Sequence, residues 1–128
     1  MFIDNKSKYD FATTVDLMQD KVVENGWSVL HVHTLDQVLG KKGFDVLPVT
    51  VLEVCKAPLS ARILGTDKHR SVSVMMPCRI SIYKTSEGEV IISRMDAANM
   101  AKSLQGEGAT VMVEAFEQME KIIEPLVD

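Results

Sequence analysis

The sequence predicts one α+β domain over residues 1–128, in which an antiparallel sheet packs against helices. Three observations support this class. The chain has 128 residues and is 46% hydrophobic, which is enough for a core that needs no disulfide or metal. Apolar residues recur at helical spacing in some segments and alternate at strand spacing in others. Glycine and proline separate these segments, and no repeat or linker interrupts them.

The first helix is expected to begin at Thr13 or Thr14, whose hydroxyl can cap free backbone N–H groups. Gly26 suits the left-handed position at which such a helix ends. Between these limits, and just before them, apolar residues follow at helical spacing: Phe11, Val15, Met18 and Val22. This pattern predicts an amphipathic helix with its apolar stripe facing the core.

The next segment, Trp27–His33, alternates at strand spacing. Strict alternation predicts that one face of this strand carries Trp27, Val29, His31 and His33. Residues 34–43 then begin with a threonine cap and end with glycine, which predicts a short helix or an ordered connection.

The segment Val49–Cys55 is rich in β-branched residues and is predicted to be a strand. Pro58 suits the first turn of a helix and Gly65 suits its end, so a short helix is expected over Pro58–Leu64. Residues 66–70 are polar and predict a loop.

The clearest hairpin pairs a strand that begins at Cys78 with a strand over Val90–Met95, around the Ser-Glu-Gly turn at residues 86–88. Asp96 can cap a helix over residues 97–104. A last helix follows the glycines at 106 and 108, and its apolar stripe comprises Met112, Ala115, Phe116, Met119, Ile123 and Leu126.

Charge and hydropathy exclude two classes of partner. The chain carries 18 acidic against 14 basic residues, a net charge of −4, so a phosphate-binding surface for nucleic acid is not expected. No segment approaches the length of a membrane span or the pattern of a signal peptide. A cytoplasmic location is therefore expected, in which the two cysteines remain thiols unless they cycle or bind a ligand.

The two cysteines are the best-defined candidate site. Cys55 ends one predicted strand and Cys78 begins the next, so antiparallel pairing would place both at one end of the sheet. Lys56 and the helix start at Pro58 are features that activate a thiol, which favours thiol or persulfide chemistry. Two buried, unreactive cysteines are the alternative interpretation.

Four further residues are candidates for ligand or metal binding. Glu53 is the only carboxylate in its apolar strand, where alternation places it on the face of Cys55, and Arg79 can pair with it or bind an anion. His31 and His33 project from one strand face and, together with the cysteines, are the ligand types of a metal or haem site. Their spacing matches no metal motif, and no cofactor fingerprint or catalytic signature is present.

Two blocks of the sequence carry a resemblance to a known family. They are Val51–Ala61, which reads Val-Leu-Glu-Val-Cys-Lys-Ala-Pro-Leu-Ser-Ala, and Met75–Tyr83, which reads Met-Met-Pro-Cys-Arg-Ile-Ser-Ile-Tyr. The chain resembles, along nearly its whole length, the cysteine-containing branch of the bacterial and archaeal family called domain of unknown function 302. It departs from that pattern where the usual Cys-Asn-Pro is replaced by Cys55-Lys-Ala-Pro58.

The resemblance implies a curved antiparallel sheet in the order β-α-β4-α, similar to half of the TATA-binding protein, and a homodimer. It implies no activity and no DNA binding. The sequence leaves three functions open: small-ligand binding or thiol chemistry in a pocket bounded by Cys55, Cys78 and Glu53; metal or haem binding through His31 and His33 with the cysteines; and a structural or interaction module without chemistry.

Overall fold

The computed structural model describes residues 1–128 and contains a five-stranded sheet in which every neighbouring pair is antiparallel. The order across the sheet is β1-β5-β4-β3-β2. The strands are β1 (Phe2–Lys6), β2 (Ser28–Thr34), β3 (Val49–Cys55), β4 (Cys78–Lys84) and β5 (Val90–Met95). The predicted α+β class with an antiparallel sheet is confirmed.

Helices connect the strands and cover one face of the sheet. They are α1 (Phe11–Glu24), α2 (Leu35–Gly40), α3 (Ala57–Leu64), α4 (Ala97–Met100) and α5 (Gly106–Ile123), and a 3₁₀ helix over Arg70–Met75 follows α3. No helix is both long and apolar enough to cross a membrane.

Alternation along the central strands separates a buried face from an open face. On β3, Thr50, Leu52 and Val54 are buried. They pair with Ile82, Ile80 and Cys78 of the neighbouring strand β4. The apolar side chains among them pack with α1 and α5 in one core that also holds Met18 and Val22. We call this side the inner face and the opposite, helix-free side the outer face.

The predicted strands β3 and β5 have the observed bounds, and the hairpin of β4 and β5 is confirmed. The helix after β3 begins one residue early, at Ala57. Asp96 caps α4 by accepting a hydrogen bond from Asn99 N at 3.3 Å, but the helix ends at Met100 and continues as 3₁₀ turns.

The N-cap of α1 was predicted three or four residues late. Asp10 is the capping residue, and its Oδ1 accepts a hydrogen bond from Thr13 N at 2.8 Å. Thr14 is fully buried, where its hydroxyl donates to Asp10 O at 2.7 Å. The carboxylate preceding Phe11 is therefore the cap, and Thr14 is part of the core.

The predicted face of β2 was wrong because the strand contains an irregularity. The pairing register with β3 shifts between Val29 and His31. As a result Val29 lies opposite Val54 of the inner face, whereas His31 lies opposite Glu53 of the outer face. An extra residue in one strand reverses the alternation beyond it.

Candidate functional site

A cavity of about 100 Å³ opens between α3, α5 and the end of the sheet where β3 ends and β4 begins. Twenty-two residues line it, and 16 of them are hydrophobic. Both cysteines are among them, so we call this cavity the thiol pocket. Trp27, the only tryptophan of the chain, also lines it.

Cys55 enters the pocket because it is the last residue of β3. The chain turns after it, and Lys56 is already the N-cap of α3. The Cys55 Sγ lies 3.1 Å from Ser60 Oγ on that helix. Simple alternation places Cys55 with Glu53 on the outer face, but the turn into α3 brings its thiol to the helices.

Cys78 reaches the pocket from the first position of β4, opposite Val54. Part of the residue is exposed, yet protein atoms on its other sides desolvate the thiol and raise its pKa above the ordinary value of 9.0. The nearby Cys55 raises the pKa further by charge repulsion. Cys78 therefore remains a neutral thiol at neutral pH, and both cysteines are free.

Methionines supply much of the remaining wall. Five of the eight methionines in the chain line the pocket: Met75, Met76, Met95, Met112 and Met119. Their unbranched thioether side chains adjust to irregular shapes, so a wall built from them adapts to a ligand.

An ion pair closes one side of the pocket. Arg94 of β5 donates from Nε and Nη2 to the two carboxylate oxygens of Glu120 on α5, at 2.8 and 2.7 Å. Its Nη1 donates to Asn5 Oδ1 at 2.7 Å. The Arg94 side chain is only 8% exposed, so this contact ties β1, β5 and α5 together in a nearly dry setting.

A second polar contact joins α3 to α5. Gln118 Oε1 accepts hydrogen bonds from Trp27 Nε1 at 3.2 Å and from Lys56 Nζ at 3.1 Å. This contact holds the indole of Trp27 at the pocket wall. Neither the Arg94 nor the Gln118 contact was predicted, because each joins residues distant in sequence.

Glu53 lies outside the thiol pocket, which corrects the predicted boundary of the site. Its carboxylate forms a hydrogen bond with His33 Nε2 on the outer face. This bond, supported by the charges of His33, Arg79 and His31, lowers the pKa of Glu53. Arg79 lies opposite Glu53 in the strand pairing and also lines the pocket.

The structure separates the residues of the predicted metal or haem site. His31 and His33 stack with ring centres 5.7 Å apart, and neither lines the pocket that holds the cysteines. No group of three or more His, Cys, Asp or Glu side chains is arranged to hold a metal ion. The combined histidine and cysteine site is therefore not formed.

Comparisons with known proteins give a family and a fold. The family model described as "Domain of unknown function DUF302" matches residues 3–126. The crystal structure of an uncharacterized conserved DUF302 protein from Bacillus stearothermophilus aligns with a TM-score of 0.86 over 98% of this chain and 97% of that chain, at 17% sequence identity. No curated protein sequence matches significantly.

Proposed function

The chain belongs to the DUF302 family, whose description assigns no activity, and from its thiol pocket we propose that it binds a small, largely apolar ligand. The observation that carries this proposal is a solvent-open cavity in which 16 of 22 lining residues are hydrophobic. Apolar walls with a few polar groups are typical of small-molecule sites. The size of the cavity suits a few carbon atoms, since an engineered cavity of about 150 Å³ binds benzene.

Hexanol is a suitable probe, because it is a flexible, largely apolar chain without charge. We expect hexanol to change the fluorescence of Trp27 saturably, since this is the only tryptophan and it lies in the pocket wall. A titration of the folded protein measures this. A change that rises linearly with hexanol and never saturates would argue against a defined site.

Thiol chemistry in the same pocket is a second candidate, favoured by the two free cysteines that line it. The proposal places the protein in a reducing compartment and assigns the attacking role to Cys55. Cys78 is the poorer nucleophile, because only a thiolate attacks and the raised pKa of Cys78 keeps it protonated.

Iodoacetamide labelling of the Cys55→Ser variant, in which Cys78 is the only thiol, tests this assignment. We expect slower labelling of the folded than of the urea-unfolded protein at pH 8, and a folded rate that keeps rising above pH 9.0. Folding stability should fall over the same range, because the unfolded thiol ionises first and the folded thiol only at higher pH. Equal labelling rates would contradict the desolvation of Cys78.

We also propose that the protein forms a homodimer through the edge strand β2. Nothing pairs with the free edge of β2, and unpaired edges are ready to add a strand. Eight large hydrophobic residues between positions 30 and 47 are exposed, and none of α2 is buried. We call this set the β2–α2 surface: Leu30, Val32, Leu35, Val38, Leu39, Phe44, Val46 and Leu47.

A second copy is the occupant that this surface suits, because two β2 strands related by a twofold axis pair antiparallel through identical surfaces. Light scattering should give twice the chain mass of 14.2 kDa. The Leu30→Asp/Phe44→Asp variant should become monomeric, while Val23→Asp, at an exposed valine of α1, should remain dimeric. A wild-type protein with the monomer mass refutes this proposal.

A further inference from the structure

The charges around the thiol pocket differ from those of the whole molecule. Its charged lining residues are three cations and one carboxylate, namely Lys56, Arg79, Arg94 and Glu120. The chain as a whole carries 18 acidic against 14 basic residues. The pocket is therefore a positive site in a negative protein.

Two of these four charges neutralise each other. Arg94 and Glu120 form a two-pronged ion pair, and the remaining Arg94 nitrogen donates to Asn5 Oδ1 at 2.7 Å. The carboxylate of Glu120 is therefore already bound by the guanidinium that connects β5 to α5 and β1. The charge that remains for a ligand is that of Lys56 and Arg79.

Only one of these two cations is free of a nearby carboxylate. Lys56 is half-buried, and its Nζ donates to the neutral amide oxygen of Gln118 at 3.1 Å. Arg79 is exposed and lies opposite Glu53, where its charge acts on that carboxylate of the outer face. Lys56 is therefore the cation that is free to meet an anion in the pocket.

We infer that the ligand is a small amphipathic anion, such as a short-chain carboxylate, with its apolar part in the cavity and its charged end at Lys56. The inference rests on the proposed function, because it specifies the ligand of the same pocket. Hydrogen bonds between a cation and a carboxylate are shorter and stronger than those between neutral groups. Lys56 therefore distinguishes an anion from a neutral molecule of equal length.

Hexanoate and hexanol form a matched pair of probes, equal in chain length and different in charge. We expect hexanoate to bind about tenfold more tightly than hexanol at low salt, as followed by Trp27 fluorescence. The Lys56→Gln variant should bind hexanoate no better than hexanol, whereas Arg79→Gln, which removes a cation opposite Glu53, should keep the preference for hexanoate. Lys102→Gln, which removes an exposed cation outside the pocket, should leave the preference for hexanoate intact.

The possible results test the binding pocket and its preference for an anion separately. If both probes bind equally to the wild-type protein, the pocket is confirmed and the inference about the anion is overturned. If hexanoate is preferred but the Lys56→Gln variant keeps that preference, the role of Lys56 is overturned. If neither probe binds, the proposed pocket function itself fails. High salt should reduce the preference for hexanoate, because it screens charges near the surface.

Discussion

Replacing Arg94 with methionine is expected to lower the free energy of unfolding by about 2 kcal/mol, because the Arg94 side chain is 8% exposed while that of its partner Glu120, at 30%, can still be hydrated. The substitution removes two hydrogen-bond donors from the Glu120 carboxylate and the one Arg94 donor from Asn5 Oδ1. It also releases β1 and β5 from α5 beside the thiol pocket. Urea unfolding followed by circular dichroism measures the loss.

Arg62 offers a matched control for this prediction. It also contacts two carboxylates, those of Glu107 and Glu114, but its side chain is 42% exposed. Because exposed ion pairs are screened by water, Arg62→Met should lower the free energy of unfolding much less than Arg94→Met does. Equal effects of the two substitutions would show that the dry setting of Arg94 does not matter.

Replacing Ala115 with leucine is expected to abolish the binding of hexanol and hexanoate. Ala115 lies on α5, is half-buried and lines the thiol pocket, so a larger apolar side chain there occupies the space of the ligand. The substitution fills an existing cavity, and we therefore expect the protein to stay folded. Fluorescence titration measures binding, and thermal unfolding verifies the fold.

Ala12→Leu is the corresponding control, because Ala12 is an exposed residue of α1 outside the pocket. This variant should bind both probes like the wild-type protein. If a folded Ala115→Leu variant still binds hexanol with wild-type affinity, the binding site is not the thiol pocket.

Local sequence patterns predicted most of the fold. The β-branched run at Val49–Cys55 and the hairpin turn before Val90 gave the correct strands, since period-two alternation and turn residues act over a few positions. The strand at Phe2–Lys6 was not assigned from its own pattern. It is short and lies at the sheet edge, and its pairing with β5 joins segments that are far apart in the sequence.

The site was predicted only in part, because two local irregularities decide which side chains meet. The register shift after Val29 moves His31 to the outer face, and the turn after Cys55 moves its thiol to the helices. Strict alternation of side chains along a strand predicts neither the register shift nor the turn. Antiparallel pairing predicted Cys55 and Cys78 at one end of the sheet, and both line the thiol pocket, whereas Glu53, which was predicted to bound the same pocket, lies outside it on the outer face.

The polar contacts of the pocket could not be predicted from the sequence for a different reason. Arg94 and Glu120 are 26 residues apart, and Lys56 and Gln118 are 62 apart. No periodicity links such positions. They meet only because α5 crosses the sheet end at which β3 and β5 terminate.

Binding of the ligand in the thiol pocket is tested most directly by a crystal structure of the protein soaked with hexanol that carries a terminal bromine. The anomalous signal of bromine locates the ligand without any assumption about its pose. We predict a bromine peak in the cavity between α3 and α5, among Leu59, Met112 and Met119. An empty cavity with bromine only on the β2–α2 surface would show that the thiol pocket is not the binding site.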